Sequence, residues 1–324
     1  MLRVRLAFLV LVAGAVAIAG CSSTQEPQEN PPSPPQTTSA RAQASVPITL
    51  SDRRLIEFTV ELGEESHQFL LYPSLDRSIV FRGDNGLSTE HPMVQPRPGT
   101  EREVRLQSVV IGSVSFGSLD VLQMTREQVN NFSTVLNRTS LSSYTGILGY
   151  NFLRDKQLTV NYPDRKMLLG MSEVNMARAA REVLKPGTTE FEMTNNAQSK
   201  RMITFDAGIN GNYRGTFAVD LGIPVNLIDQ VFLDRWNLQT LSSSELQSRY
   251  GSSSSRYDFV SVSRLWIGGR VFERSLLRVR PDMRLQLGVD APVILGNYFF
   301  IDKVLQVNFP QRWLAIQSGD SAEE

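Results

Sequence analysis

The chain of 324 residues holds one cysteine, Cys21, so no internal disulfide can form. Histidine is almost as scarce: His67 and His91 are the only two. Their spacing makes no metal-ligand pattern, no motif builds a Ser-His-Asp triad around either, and their polar neighbours place both in solvated loops. Nothing in the sequence asks for a cofactor or a metal. An excess of one charge is also missing. The 33 basic and 33 acidic side chains cancel, which removes the positive field that nucleic-acid binding relies on. Long apolar runs are few as well. Residues 6–18 form one of only about a dozen residues, against the ~20 that a membrane helix needs. What is present is a 41% hydrophobic fraction, enough to fill real cores.

Arg3 and Arg5 precede that apolar run, and small residues lead out of it into Ile18-Ala19-Gly20-Cys21. The order of parts is that of a signal peptide, residues 1–20. The last four residues resemble a bacterial lipobox. The resemblance implies cleavage before Cys21, lipidation of its thiol and, with Ser22 next, sorting to the outer membrane. More than one acyl chain then gives stable anchoring where one alone is marginal. The stretch up to Ser45 is rich in Pro, Gln, Ser and Thr, with prolines at 27, 31, 32, 34 and 35. It has too little apolar surface to fold and reads, over residues 21–45, as a lipidated cysteine followed by a disordered tether.

From Val46 onward short apolar segments alternate with Gly, Asn, Asp and Ser turns, the pattern of a mostly β protein. An internal repeat then organises the rest. Val104-Arg105-Leu106-Gln107-Ser108-Val109-Val110-Ile111-Gly112, with Phe116 beyond, matches residues 260–268 with Phe272 beyond, at an offset of 156 (268 − 112). Gly146-Ile147-Leu148-Gly149-Tyr150-Asn151-Phe152 matches Val293-Ile294-Leu295-Gly296-Asn297-Tyr298-Phe299 at 147 (293 − 146), and the match runs on through residues 158–163 and 305–310. Upstream, residues 63–80 lie over 211–228 at 148 (211 − 63). Three blocks in one order make a duplicated domain: 46–171, then 188–318, with a helix or linker at 172–187 and a polar tail at 319–324.

Smaller expectations follow. Ser172 caps a helix that Lys185-Pro186-Gly187 ends. Residues 229–237 form a short helix with Val231, Phe232 and Trp236 on one face. Residues 83–99 form a loop, and the polar stretch 241–256 sits where a mobile hairpin would cover a cleft. Trp236, Trp266 and Trp313 pack into the core.

The centre of the second copy is Phe217-Ala218-Val219-Asp220-Leu221-Gly222-Ile223-Pro224-Val225-Asn226-Leu227-Ile228. An apolar strand meets an acid, turns at a glycine and continues as a second apolar segment. This resembles the active-site turn of aspartic peptidases, Asp-Thr-Gly or Asp-Ser-Gly, and each Ile-Leu-Gly block resembles the segment that passes behind that turn. The resemblance spans residues 47–317. It implies two tandem retropepsin-like β-barrel lobes in the bilobal arrangement of pepsin-like enzymes, with a cleft between them. In that family one carboxylate from each lobe shares a proton, one acting as base toward water and the other as acid toward the scissile carbonyl.

The second lobe supplies Asp220 and Gly222, with Leu221 where the family carries a hydroxyl. In the first lobe, Tyr72 lies over Asp220, Pro73 over Leu221 and Ser74 over Gly222. A phenol, with an ordinary pKa of about 10, does not share a proton as a carboxylate does. Asp76 is the one nearby acid, and using it as the partner breaks the gapless match. The expectation is a lipoprotein of this fold, inactive as a peptidase, that binds a peptide or envelope component in its cleft. An active endopeptidase using Asp220 with Asp76, and a surface-mediated interaction protein, are the alternatives.

Overall fold

The computed structural model describes residues 43–51, 54–83, 86–97, 102–132, 141–171, 187–195, 201–242, 244–245, 257–284, 288 and 290–318. The signal segment, Cys21, the tether up to residue 42, the helix expected after Ser172, most of the polar stretch after Leu241 and the polar tail lie outside them. The described residues belong to one unit of the chain, 41–324.

Strands dominate because the sequence alternates. Along Ile56–Leu62 the side chains of Ile56, Phe58, Val60 and Leu62 are buried, whereas Glu57, Thr59 and Glu61 are not. This is the two-residue period of a half-buried strand. The alternation stops where strands enter the middle of the molecule. Glu65–Leu71 ends in Phe69-Leu70-Leu71, all buried, and Tyr213–Val219 ends in Phe217-Ala218-Val219, all buried. Continuous apolar residues mark strands covered on both faces, and these two lead into the turns at Tyr72 and Asp220.

The expected duplication governs the sheets. In the first lobe Glu65–Leu71 runs parallel to Gly146–Leu148, which is antiparallel to Ile79–Phe81, which in turn is parallel to Leu119–Met124. In the second, Tyr213–Val219, Val293–Leu295, Leu227–Asp229 and Arg270–Arg280 repeat the same three pairings. The hairpin registers agree with the offset of 156: Leu106 faces Leu119 and Val110 faces Ser115, as Val262 faces Ser275 and Trp266 faces Val271. The mostly β, two-lobed architecture expected from the sequence is therefore present.

The lobes share a six-stranded sheet, in the order Gln43–Pro47, Lys166–Met171, Lys156–Asn161, Lys303–Asn308, Trp313–Ser318, Thr188–Glu190. Its two central strands are repeat equivalents paired with each other, Leu158 facing Val307 and Val160 facing Leu305. Thr159 faces Gln306, its own equivalent at offset 147 (306 − 159). A local two-fold axis passes through that pair, so each lobe presents its turn to the other. The first strand begins at Gln43, inside the stretch expected to be tether.

Four local expectations are corrected. The second-lobe helix, Val231–Arg235, buries Phe232 and the following Trp236 but leaves Val231 58% exposed. Positions four apart share a helix face, and adjacent ones diverge by about 100°. Trp236 stacks on Phe217 and Tyr213, as a core residue should. Trp266 does not, being 40% exposed. Leu265 and Ile267 take the inward positions of its strand, so Trp266 points out. The loop expected at 83–99 contains a short strand, Val94–Pro96, paired with Glu103–Leu106. The histidines are not in solvated loops: His67 lies in the strand Glu65–Leu71, and both side chains are 13% exposed.

The framework is testable at the shared sheet and at the edge of the first lobe. Leu305 is fully buried beside the axis, so Leu305→Ala should destabilise the fold by about 2–5 kcal/mol. Because the sheet is common to both lobes, urea unfolding should remain one transition by tryptophan fluorescence and by far-UV circular dichroism, rather than splitting by lobe. At the edge of the first lobe, the hydrogen-bonded Arg105 guanidinium, followed by the charges of Arg105, Arg97 and Arg77, holds the Asp120 carboxyl below its ordinary range. A depressed carboxylate stabilises the folded state above its ordinary pKa and loses that contribution as pH falls through the folded value. Arg105→Gln should therefore lower the urea midpoint at neutral pH, and the gap to the parent protein should close in acid.

Candidate functional site

The two turns are held by matching hydrogen bonds. Tyr72 N donates to Leu148 O (2.9 Å) as Asp220 N does to Leu295 O (3.0 Å). Leu75 N donates to Tyr72 O as Ile223 N does to Asp220 O, and Tyr150 N to Leu75 O as Asn297 N to Ile223 O. Gly149 N donates to Ser78 Oγ (2.9 Å) where Gly296 N donates to Asn226 Oδ1 (3.0 Å). Finally, Asn151 N donates to Asp76 O as Tyr298 N does to Pro224 O. Backbone geometry thus puts Tyr72 in the place of Asp220, and Asp76 in the place of Pro224.

The side chains meet asymmetrically. Asp220 is 4% exposed, and its Oδ1 accepts from Gly222 N and, across the lobes, from Ser74 Oγ, both at 2.9 Å. Ser74 is itself buried. The buried ring of Tyr72 packs against Gly222. A Cβ built on that glycine would stand 1.8 Å from Tyr72 Cε2 and 2.1 Å from Cδ2. Glycine is required here by the ring, since Gly222 is not among the positive-φ glycines.

Leu221 is buried, and its carbonyl accepts from Asn297 Nδ2 at 2.6 Å. Asn297 Oδ1 accepts in turn from Tyr162 Oη of the first lobe, also at 2.6 Å. Full burial raises the Tyr162 phenol well above its ordinary pKa, so it remains a donor. Across the two-fold axis, the equivalent pair is Tyr150 and Phe309, whose rings meet edge to face at 5.9 Å. A hydrogen bond on one side of the axis is thus an aromatic contact on the other.

Asp76, the alternative second acid, faces a cation. Its Oδ1 accepts from Arg201 Nε at 2.5 Å, with both side chains about one third exposed. Arg201 begins a second-lobe strand, donates its backbone N–H to Ser74 O, and lays its guanidinium over the Tyr150 ring. It clamps the first-lobe turn from outside.

The structure therefore gathers Tyr72, Ser74, Asp220, Leu221 and Gly222 at one junction, and gives Asp76 to Arg201. Arg201, Asn297 and Tyr162 were not singled out from sequence. A signal for the last two was present: they occur where the aligned copies exchange polarity, Tyr150 against Asn297 and Tyr162 against Phe309.

No family model matches the sequence, and no curated relative matches it. Among solved structures, the chain is similar to an aspartic proteinase from Irpex lacteus, with a TM-score of 0.50 and 13% identity over 87% of this chain and 100% of that one. At that identity the likeness shows the fold alone: an aspartic-proteinase-like, two-lobed β architecture.

The Tyr72–Gly222 contact gives a direct prediction. Gly222→Ala should destabilise the protein by about 1–3 kcal/mol or more through overpacking. In a double-mutant cycle with Tyr72→Leu, which removes the facing ring atoms, the two costs should be clearly less than additive. Additive costs would mean that the ring does not set the glycine requirement.

Proposed function

We propose that this protein is a lipid-anchored, non-catalytic protein of aspartic-proteinase-like fold, which holds an extended peptide or another envelope component in the cleft between its lobes. The observation that carries the reading is the junction itself. Acid proteolysis on this fold needs two carboxylates close enough to share one proton and activate a water. Here one carboxylate, Asp220, accepts from Ser74 Oγ of the opposite turn, and the position equivalent to its own holds a tyrosine ring seated on Gly222. The remaining acid of that turn, Asp76, bonds to Arg201, which argues against its recruitment as a second catalytic group. Asp220 then acts as an acceptor that ties the two turns together.

The lipobox-like Ile18-Ala19-Gly20-Cys21 supports an anchor at Cys21, and Ser22 supports placement at the outer membrane, facing the periplasm. Zero formal charge argues against nucleic acid as the partner. The cleft between lobes is the surface on which such a fold offers strand edges to an extended chain.

The test uses the full chain in detergent with fluorescently labelled peptides from unfolded casein, from acid to neutral pH. Retention by fluorescence polarisation without shortening of the peptides is the expected result. Pepstatin-sensitive cleavage that disappears in Asp220→Asn would overturn the non-catalytic reading, and failure to retain any peptide would overturn the peptide as occupant of the cleft.

A further inference from the structure

We propose that Glu65, His67 and His91 form a zinc-type metal site on the first lobe, separate from the Asp220 junction. The sequence has no metal spacing, and the fold creates one. Glu65 and His67 are two apart on the strand Glu65–Leu71 and so project from the same face. His91 reaches them from the turn that precedes the strand Val94–Pro96. That turn is fixed by Val94 N donating to His91 O and by Met93 packing against Gly63 of the adjoining hairpin.

The geometry converges on one point. The Nε2 atoms of His67 and His91 each lie 3.6 Å from the same oxygen, Glu65 Oε2. All three ligand atoms lie within 4.8 Å of one another. A tetrahedral zinc ion with bonds of about 2.0–2.1 Å separates its ligand atoms by about 3.4 Å, close to the 3.6 Å of the two nitrogen–oxygen pairs. The imidazoles meet edge to face, 71° apart with centroids at 5.9 Å. A separation of 3.6 Å is too long for a hydrogen bond. Among the described residues neither buried Nε2 atom has a hydrogen-bond partner, a condition that native proteins seldom leave unexplained. A cation placed among them satisfies both nitrogens at once.

The surroundings fit imidazole ligation. Thr145 Oγ1 stands 3.4 Å from His67 Nδ1, placed to accept from Nδ1–H in the tautomer that leaves the Nε2 lone pair for a metal, as outer partners of metal-bound histidines do. His91 Nδ1 instead accepts from Met93 N at 3.2 Å. Ligation through Nε2 places the His91 proton on Nδ1, so this contact has to open when a metal binds. Two imidazoles and one carboxylate select zinc, copper or nickel over magnesium or calcium. Glu65 is 67% exposed, so a water or an outside ligand has access to a fourth position, as in three-ligand zinc sites.

The test is metal titration of the full chain in detergent, carrying Cys21→Ser so that no unlipidated thiol competes for metal, and stripped beforehand with a chelator. Cobalt should develop the visible absorption of a tetrahedral centre at one equivalent, zinc should displace it, and zinc should raise the thermal midpoint. Glu65→Gln, at an exposed position that the fold tolerates, should weaken zinc binding by about tenfold or more. His67→Ala and His91→Ala, checked for parent-like circular dichroism, should abolish the cobalt spectrum. Absence of stoichiometric binding, or binding that survives either Glu65→Gln or His67→Ala unchanged, would overturn the proposal.

Discussion

The contact between the Tyr72 ring and Gly222 constrains everything around it. A duplicated fold with a local two-fold axis brings equivalent turns face to face, and two identical turns can only present each other with the same group. Here they present different ones. A ring on one side requires the absence of a side chain on the other, where any Cβ would lie within 2.3 Å of three ring atoms. Once the ring is seated there, Ser74 reaches across to Asp220 Oδ1 at 2.9 Å. The lobes have become complementary at the point where the axis would otherwise make them the same.

That complementarity extends outward. The Tyr162–Asn297 hydrogen bond ties the second-lobe turn, through Leu221 O, to the first lobe. Its symmetry mate is an edge-to-face contact between Tyr150 and Phe309. Arg201 clamps the first-lobe turn through Ser74 O and Asp76. Each turn is thus braced by a residue of the opposite lobe, but by different chemistry on the two sides. A buried carboxylate is costly unless it is well supplied with donors, and Asp220 receives a hydroxyl and an amide on one oxygen. Such an acid fixes the relation between the two lobes.

The fold was legible in the sequence because a duplication writes its register twice. The offsets of 156, 147 and 148 read from matched residues are those of the paired strands: Val110 with Ser115 against Trp266 with Val271, Thr159 against Gln306, Tyr72 against Asp220. The turn residues Tyr72, Ser74, Asp220, Leu221 and Gly222 were legible for the same reason. Burial of single side chains was harder to read. Trp266 points outward because Leu265 and Ile267 already occupy the inward positions of its strand, and an aromatic within an apolar run gives no sign of that parity by itself. Arg201 was missed because the contacts it makes, to Ser74 O and Asp76, cross between lobes, and no local pattern encodes them.

The histidines show where a repeat stops being informative. At offset 148, Glu65 lies over Tyr213 and His67 over Gly215 (213 − 65, 215 − 67). In the second lobe that place is a recess of about 770 Å³ lined by Tyr213, Gly215 and Trp266. The hairpin strand therefore carries an imidazole and a carboxylate in one copy, and in the other borders a recess of aromatic, glycine and charged residues, Asp206 and Arg214 among them. Duplication fixes the backbone and leaves each copy free to place different chemistry on the same strand face. A close match between the copies locates the scaffold, and it is at the mismatched positions, Tyr72 with Asp220, Tyr162 with Phe309, His67 with Gly215, that the particular behaviour of this chain is to be sought.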